Sequence, residues 1–107
     1  MPDDKIYTIG LMLVRDNAIG KTENPRTIGW FETREEAEDL ILRNAGDMFE
    51  CGFHNTAVIE EISSGVYAIA QQISWYHATY TAGVNDPDVV RIEQPDWAKH
   101  ICNFSMG

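Results

Sequence analysis

The chain has 107 residues, of which 44% are hydrophobic and 10% aromatic, a composition typical of one packed domain. Seventeen carboxylates against eight lysines and arginines give a formal net charge of −9 at pH 7. We therefore expect a single globular domain over residues 1–107, and we exclude collagen-like, coiled-coil, low-complexity and disordered chains. Direct binding to nucleic acid is disfavoured, because the few cations are scattered along the sequence.

The sequence shows no segment typical of export or of a membrane protein. Its first residues are acidic and polar, where a secretory signal is basic. Its longest apolar run, residues 9–14, is far shorter than the roughly 20 residues that cross a bilayer. We therefore expect a cytoplasmic protein without membrane contact, in which Cys51 and Cys102 remain thiols.

The first predicted strand covers residues 5–15. Both of its faces are largely apolar, which predicts a strand that is central in the sheet or covered on both sides. Residues 16–25 are rich in the turn-forming types Asn, Gly and Pro, so we predict a polar loop there. A short strand with Arg26 and Trp30 follows.

A helix is predicted over residues 33–45. It begins with a capping box, in which the Thr33 hydroxyl accepts the amide of Glu36. Apolar residues then recur at helical spacing, and Gly46 is a natural end to the helix.

Several strands are predicted after the helix. Residues 56–62 and 66–70 flank the turn Ser63-Ser64-Gly65 and resemble a hairpin, and residues 73–80 and 89–93 have the character of two further strands. One helix among these strands predicts an α+β fold, a mainly antiparallel β-sheet with the principal α-helix packed on one face.

Negative charge is concentrated in and after the helix, because residues 32–61 hold nine carboxylates and two basic side chains. The simplest interpretation is a solvated surface that keeps the protein soluble. Our leading hypothesis is an acidic surface that docks on a basic partner protein. On a helical wheel Leu42 lies opposite the apolar stripe as a candidate apolar anchor. The predicted partner-binding residues are Glu35, Glu38, Asp39 and Leu42.

A second hypothesis is a small-ligand or nucleotide-binding domain. Asn44 falls on the apolar stripe of the helix and needs hydrogen-bond partners, either in the following turn or in a ligand. The strand over residues 73–80 shows Trp75 on one face and Tyr76 on the other, and a small sheet cannot easily bury both rings. One face is therefore predicted to contact a ligand, a partner or the C-terminal segment. The predicted ligand-binding residues are Arg26, Asn44, Asp47, Glu50, Trp75 and Tyr76.

A zinc site is the alternative that the cysteines and histidines raise. Cys51-x-x-His54 and His100-x-Cys102 together supply the donor types of a tetrahedral zinc site. The single residue between His100 and Cys102 is fewer than a zinc knuckle uses, so we interpret Cys51 as a small buried residue. We predict no metal and no cofactor.

No catalytic motif is present in the sequence. Glu60 and Glu61 are adjacent on a predicted strand, so their side chains point to opposite faces and do not form an acid–base pair. His77 is interpreted as a packed or surface histidine. We predict no catalytic residue, and the sequence favours binding over catalysis.

A set of motifs runs from the strand before the helix to the predicted hairpin: RTIGWF at 26–31, Thr33, EEA at 35–37, Asn44, Asp47, Glu50, AVIE at 57–60 and GVY at 65–67. This set resembles a family of small uncharacterised proteins from gut and Gram-positive bacteria and their phages or mobile elements. The resemblance covers roughly residues 5–80. It implies that Asn44, Asp47 and Glu50 form a recurring polar set past the helix, and it implies no activity. A mobile-element origin suits an inhibitor of a basic host protein.

Overall fold

Antiparallel strands and one α-helix make up most of the structure, a computed structural model that describes residues 5–16, 21–63, 70–81, 83 and 86–100, without the side chains of Asp16, Cys51 and His100. The strands form a five-stranded sheet in the order β2-β1-β3-β4-β5, which confirms the α+β prediction. The elements are β1 (Lys5–Asp16), β2 (Lys21–Phe31), α1 (Arg34–Leu42), β3 (Thr56–Ser63), β4 (Ala70–Thr79) and β5 (Asp88–Ile92), with 3₁₀ helices at Ala45–Asp47, Glu50–Gly52 and Asp96–His100.

Strand β1 lies inside the sheet, between β2 and β3. Ile9 and Leu11 are buried on the face that α1 covers, here called the helix face. Met12 and Val14 are buried on the opposite face, the back face. The prediction of a first strand covered on both sides is confirmed.

Strand β2 corrects the predicted polar loop over residues 16–25, because residues 21–25 belong to this edge strand; residues 17–20 lie outside the described residues. Its polar side chains stay exposed because they lie at the sheet edge. An edge strand also accommodates Pro25, which has no amide hydrogen to donate. Asn24 and Gly29 have positive φ angles of 54° and 56°, and the register against β1 shifts near both. The turn-forming residues therefore mark β-bulges within a strand.

Strands β3 and β4 are antiparallel partners. β4 contains the predicted strand over residues 73–80 up to Thr79 and begins earlier, at Ala70. The predicted strand over residues 66–70 lies, apart from Ala70, outside the described residues. Gln71 and Gln72 interrupt the apolar alternation in the sequence, yet they pair with Glu61 and Glu60 across the sheet. The predicted strand at 89–93 is β5.

Helix α1 starts at the predicted cap, where the Thr33 Oγ1 accepts the Glu36 amide at 3.1 Å. It ends at Leu42 and not at residue 45, because Asn44 adopts the left-handed conformation with φ of 48° before Gly46 is reached. Ala37 and Ile41 are buried against the sheet. None of the described helices is long and apolar enough to span a membrane.

The back face is covered in part by the 3₁₀ helix at Asp96–His100, which brings Trp97 against Trp75 with ring centroids 5.6 Å apart at 81°. The sheet and α1 do not cover both rings of β4 by themselves, and this 3₁₀ helix supplies the additional cover on the back face. Trp75 is 2% exposed on the back face and Tyr76 is 0% exposed on the helix face. The sequence predicted that one face contacts a ligand, a partner or the C-terminal segment. In the structure Trp97, from the C-terminal part of the chain, makes this contact with Trp75.

The contact between α1 and the sheet predicts very different effects for two neighbouring substitutions. Ile41→Ala empties a fully buried position, and we expect it to lower the free energy of unfolding by about 2–5 kcal/mol. Leu42→Ala changes a half-exposed side chain, and we expect a loss within about 0.5 kcal/mol. Urea unfolding of both variants measures the difference, and equal losses would contradict this packing of α1.

Candidate functional site

Three of the predicted partner-binding residues share the solvent side of α1. Leu42 is 45% exposed, and Glu35 and Asp39 are exposed beside it. Arg34 lies 3.3 Å from the Glu35 carboxylate, and Arg43 donates to Asp39 at 3.0 Å. We call Glu35, Asp39 and Leu42 the outer helix face.

Glu38 does not belong to the outer helix face, and its assignment to the exposed side of the wheel is wrong. Its carboxylate accepts hydrogen bonds from the Tyr76 hydroxyl at 2.5 Å and from Arg34 Nη1 at 3.0 Å. Arg91 Nη1 lies 3.9 Å away. Glu38 lies at the edge of the interface between α1 and the sheet, where the hydroxyl of a buried tyrosine needs an acceptor.

The Tyr76–Glu38 hydrogen bond shifts the pKa of both groups. Burial, helped by the hydrogen bond to the carboxylate, raises the pKa of Tyr76 from 10.0 to about 12. The hydrogen bond from Tyr76, helped by Arg34, holds the pKa of Glu38 below its ordinary value against the opposing effect of burial. At neutral pH a neutral phenol therefore donates to a carboxylate and ties α1 to β4.

Arg26, Asp47 and Glu50, three of the predicted ligand-binding residues, line one cleft of about 200 Å³ between β2 and the loop after α1. We call this site the polar cleft. Asn44 lies beside it and donates to Asp47 Oδ1 at 3.2 Å. Trp75 and Tyr76, the other two predicted ligand-binding residues, do not line the polar cleft, and both side chains are buried.

The side chains of the polar cleft bond to one another. Asn44 Oδ1 accepts the Phe49 amide at 3.1 Å, so Asn44 finds partners in the loop that follows the helix. Arg26 Nη1 lies 3.6 Å from Glu50 Oε2. Asn44, Asp47 and Glu50 have positive φ angles of 48°, 52° and 49°. Strained backbone of this kind concentrates at functional sites, but these side-chain contacts also hold the loop in place.

His54 is buried next to the polar cleft, a position that sequence reasoning did not foresee. Its Nδ1 lies 3.3 Å from the Met48 carbonyl oxygen, and its Nε2 lies 3.0 Å from the Asn24 carbonyl oxygen. The ring therefore joins the bulge of β2 to the loop after α1. With both nitrogens directed at carbonyl groups, neither is available to a metal ion in this arrangement.

The zinc alternative lies mostly outside the described residues, since the side chains of Cys51 and His100 and all of Cys102 are not described. Among the described residues, no group of three His, Cys, Asp or Glu side chains is placed to hold a metal ion. Glu60 is fully buried whereas Glu61 is partly exposed and accepts the Tyr7 hydroxyl at 3.2 Å.

A separate cavity of about 350 Å³ opens on the back face, between β4, β5 and the segment that leads into the last 3₁₀ helix. We call it the back-face cavity. His77 lies two residues after Trp75, which places both side chains on one face of β4, but this spacing alone does not indicate a cavity. Its apolar lining includes Val14, Ile92 and Trp97, and its polar lining includes Thr56, His77 and Glu93.

Comparison with known proteins adds no assignment, because no protein-family model, no curated protein and no solved structure matches this chain. The resemblance to small proteins of Gram-positive bacteria and their mobile elements therefore stays a prediction.

The Tyr76–Glu38 contact predicts how stability depends on pH. Tyr76 has a raised pKa in the folded protein, so its contribution is complete below pH 10 and is lost as the pH rises towards about 12. Glu38 has a lowered pKa, so its contribution is complete above the ordinary carboxyl pKa and is lost in acid. We expect Tyr76→Phe to lower the free energy of unfolding at pH 7 by about 1–2 kcal/mol. We also expect its stability to fall less steeply than that of the wild type in acid and in alkali.

Urea unfolding between pH 3 and pH 11 measures how the free energy of unfolding depends on pH, with Tyr7→Phe as the matched variant. Tyr7 also donates to a carboxylate, Glu61, but between strands and at 3.2 Å. A pH profile of Tyr76→Phe identical to that of the wild type would contradict the role given to this contact.

The polar cleft predicts different effects for two substitutions of Asn44. Asn44→Gly removes the side-chain hydrogen bonds but keeps the left-handed backbone unstrained, so we expect a loss of about 1 kcal/mol in the free energy of unfolding. Asn44→Ala loses the same bonds and keeps a β-carbon at positive φ without the polar side chain that lets asparagine tolerate this conformation, so we expect about 2 kcal/mol. Equal losses in thermal or urea unfolding would show that the backbone conformation at 44 is not strained.

Proposed function

We propose that this chain is a binding domain that docks a basic partner protein on the outer helix face. The supporting observation is Leu42, a large apolar side chain that is 45% exposed on the same side of α1 as the carboxylates of Glu35 and Asp39, which are 75% and 69% exposed. An apolar side chain within a polar rim is the usual arrangement of an interaction hot spot.

The charge of the outer helix face indicates that the partner surface is positively charged. Helix α1 holds four carboxylates and one arginine, in a chain whose net charge is −9. Glu32 and Glu36 are exposed near the same face, and neither carboxylate makes an ion pair within the described part of the chain. A surface of this sign steers a basic partner towards it and repels a phosphate backbone. A protein that itself binds nucleic acid fits this description, and its inhibition is the form of the function that a mobile-element origin favours.

The polar cleft is the second candidate, as a site for a small ligand. Arg26, Asp47 and Glu50 do converge there. Charged side chains are paired at both sites, Arg26 with Glu50 in the polar cleft, and Glu35 with Arg34 and Asp39 with Arg43 on the outer helix face. We favour the outer helix face because it also presents Leu42, an exposed apolar side chain.

The docking proposal is tested by charge reversal on the outer helix face. The wild-type chain, Glu35→Lys/Asp39→Lys and Leu42→Ala are immobilised in parallel, and bound proteins from a lysate of the source cells are quantified. The recovered protein is then purified and titrated against each variant. We expect a basic protein whose Kd rises at least about tenfold for the double variant, since it loses two charge contacts.

The matched control is Asp86→Lys/Asp88→Lys, which makes the same change in net charge at exposed positions near the start of β5. We expect it to retain the partner. If the wild type and Glu35→Lys/Asp39→Lys recover the same amount of the partner, docking on the outer helix face is refuted. If both double variants lose the partner equally, the effect comes from net charge and not from this surface.

A further inference from the structure

We propose that the back-face cavity is a binding site for a small organic cation that carries one ring or a short hydrocarbon body. The cavity lies on the side of the sheet opposite α1, so this site is separate from the outer helix face and from the polar cleft. Its volume of about 350 Å³ is at the lower end of ligand cavities, which fits one ring system and not a nucleotide.

Two polar side chains of the back-face cavity, those of His77 and Glu93, are available to a ligand. Neither the His77 imidazole nor the Glu93 carboxylate makes a hydrogen bond or an ion pair with the described residues. In the polar cleft, by contrast, Arg26 faces Glu50 and Asn44 bonds to Asp47. Unengaged polar groups beside an apolar wall are the arrangement that fixes the orientation of a small ligand.

The charge of the lining selects a cation. Among the described residues that line the cavity, Glu93 carries the negative charge, and none is a lysine or an arginine. Arg91, two positions earlier, reaches towards Glu38 on the helix face. Trp97 supplies an aromatic ring, and a carboxylate next to an aromatic ring is the combination that recognises ammonium groups. His77 adds a hydrogen-bonding group at the polar side.

The walls of the cavity are held in place before any ligand arrives. The Asn55 side chain bonds to both backbone groups of Val14, accepting its amide at 2.8 Å and donating to its carbonyl at 3.0 Å. Thr56 Oγ1 donates to the same Asn55 side chain at 2.9 Å. Trp97 is fixed edge-to-face against Trp75. A preformed wall reduces the entropy lost on binding, so even a small ligand is retained.

Three probes of similar shape distinguish the effect of charge on binding from that of the hydrocarbon body. They are 2-phenylethylammonium, 2-phenylethanol and phenylacetate. Each is titrated into the full chain while ¹H–¹⁵N spectra are recorded. We expect saturable shifts of the amides around Val14, His77 and Glu93 with the ammonium probe, weaker binding of the alcohol and the weakest binding of the carboxylate. Absence of saturable shifts, shifts confined to the polar cleft, or equal binding of ammonium and carboxylate probes would overturn the proposal.

Glu93→Gln removes the carboxylate at an exposed position without changing its size. We expect it to raise the Kd of the ammonium probe about fivefold and to leave that of the alcohol unchanged. The control Glu32→Gln makes the same change in net charge at an exposed position beside α1, and we expect it to change the Kd less than about twofold. An unchanged Kd in Glu93→Gln, or equal changes in the two variants, would refute a specific contact with Glu93.

Discussion

Strand β1 carries apolar side chains on both of its faces, and this constraint determines how the rest of the chain is arranged. Ile9 and Leu11 require a cover on one side, and Met12 and Val14 require another. Helix α1 supplies the first cover, and the short 3₁₀ helix with Trp97 supplies part of the second. The two covers differ in size, since α1 has nine residues and the 3₁₀ helix has five. The three surfaces described above follow from this difference: a helix with an exposed outer side, a cleft at its end, and a cavity beside the smaller cover.

The polar contact between α1 and β4 decides which acidic residues remain at the surface. Tyr76 is buried under the helix and needs an acceptor for its hydroxyl, which Glu38 provides while Arg34 balances its charge. The contact combines burial of apolar surface with one directional bond, and so fixes how the helix is rotated on the sheet. It also explains why a helical wheel alone misplaces Glu38. The wheel distinguishes the apolar side of a helix from its polar side, but it does not show where the polar groups of a neighbouring strand lie.

The elements that local patterns specify were predictable, and the elements that depend on distant contacts were not. Thr33 and the apolar spacing after it place the helix start, and two-sided apolarity places β1 inside the sheet. The second half of β2, with Arg26 and Trp30, was predicted as a short strand, but residues 21–25 were not. An exposed edge strand has no apolar alternation, and residues such as Asn24 occur in bulges as well as in loops. The grouping of Asn44, Asp47 and Glu50 follows from their closeness in sequence. The burial of Trp75 and the back-face cavity depend on a contact with Trp97, 22 positions away, which no local pattern reveals.

The irregular outer strand also bears on how the molecule meets copies of itself. A long regular edge strand presents a row of unpaired amide and carbonyl groups and invites another chain to extend the sheet, which is a common route to aggregation. In β2, Pro25 removes one of those amides, and the bends at Asn24 and Gly29 divide the edge into short stretches. Lysine, glutamate and arginine side chains along the strand add charge to that edge. The features that hide β2 in the sequence thus make it a poor template for a second sheet.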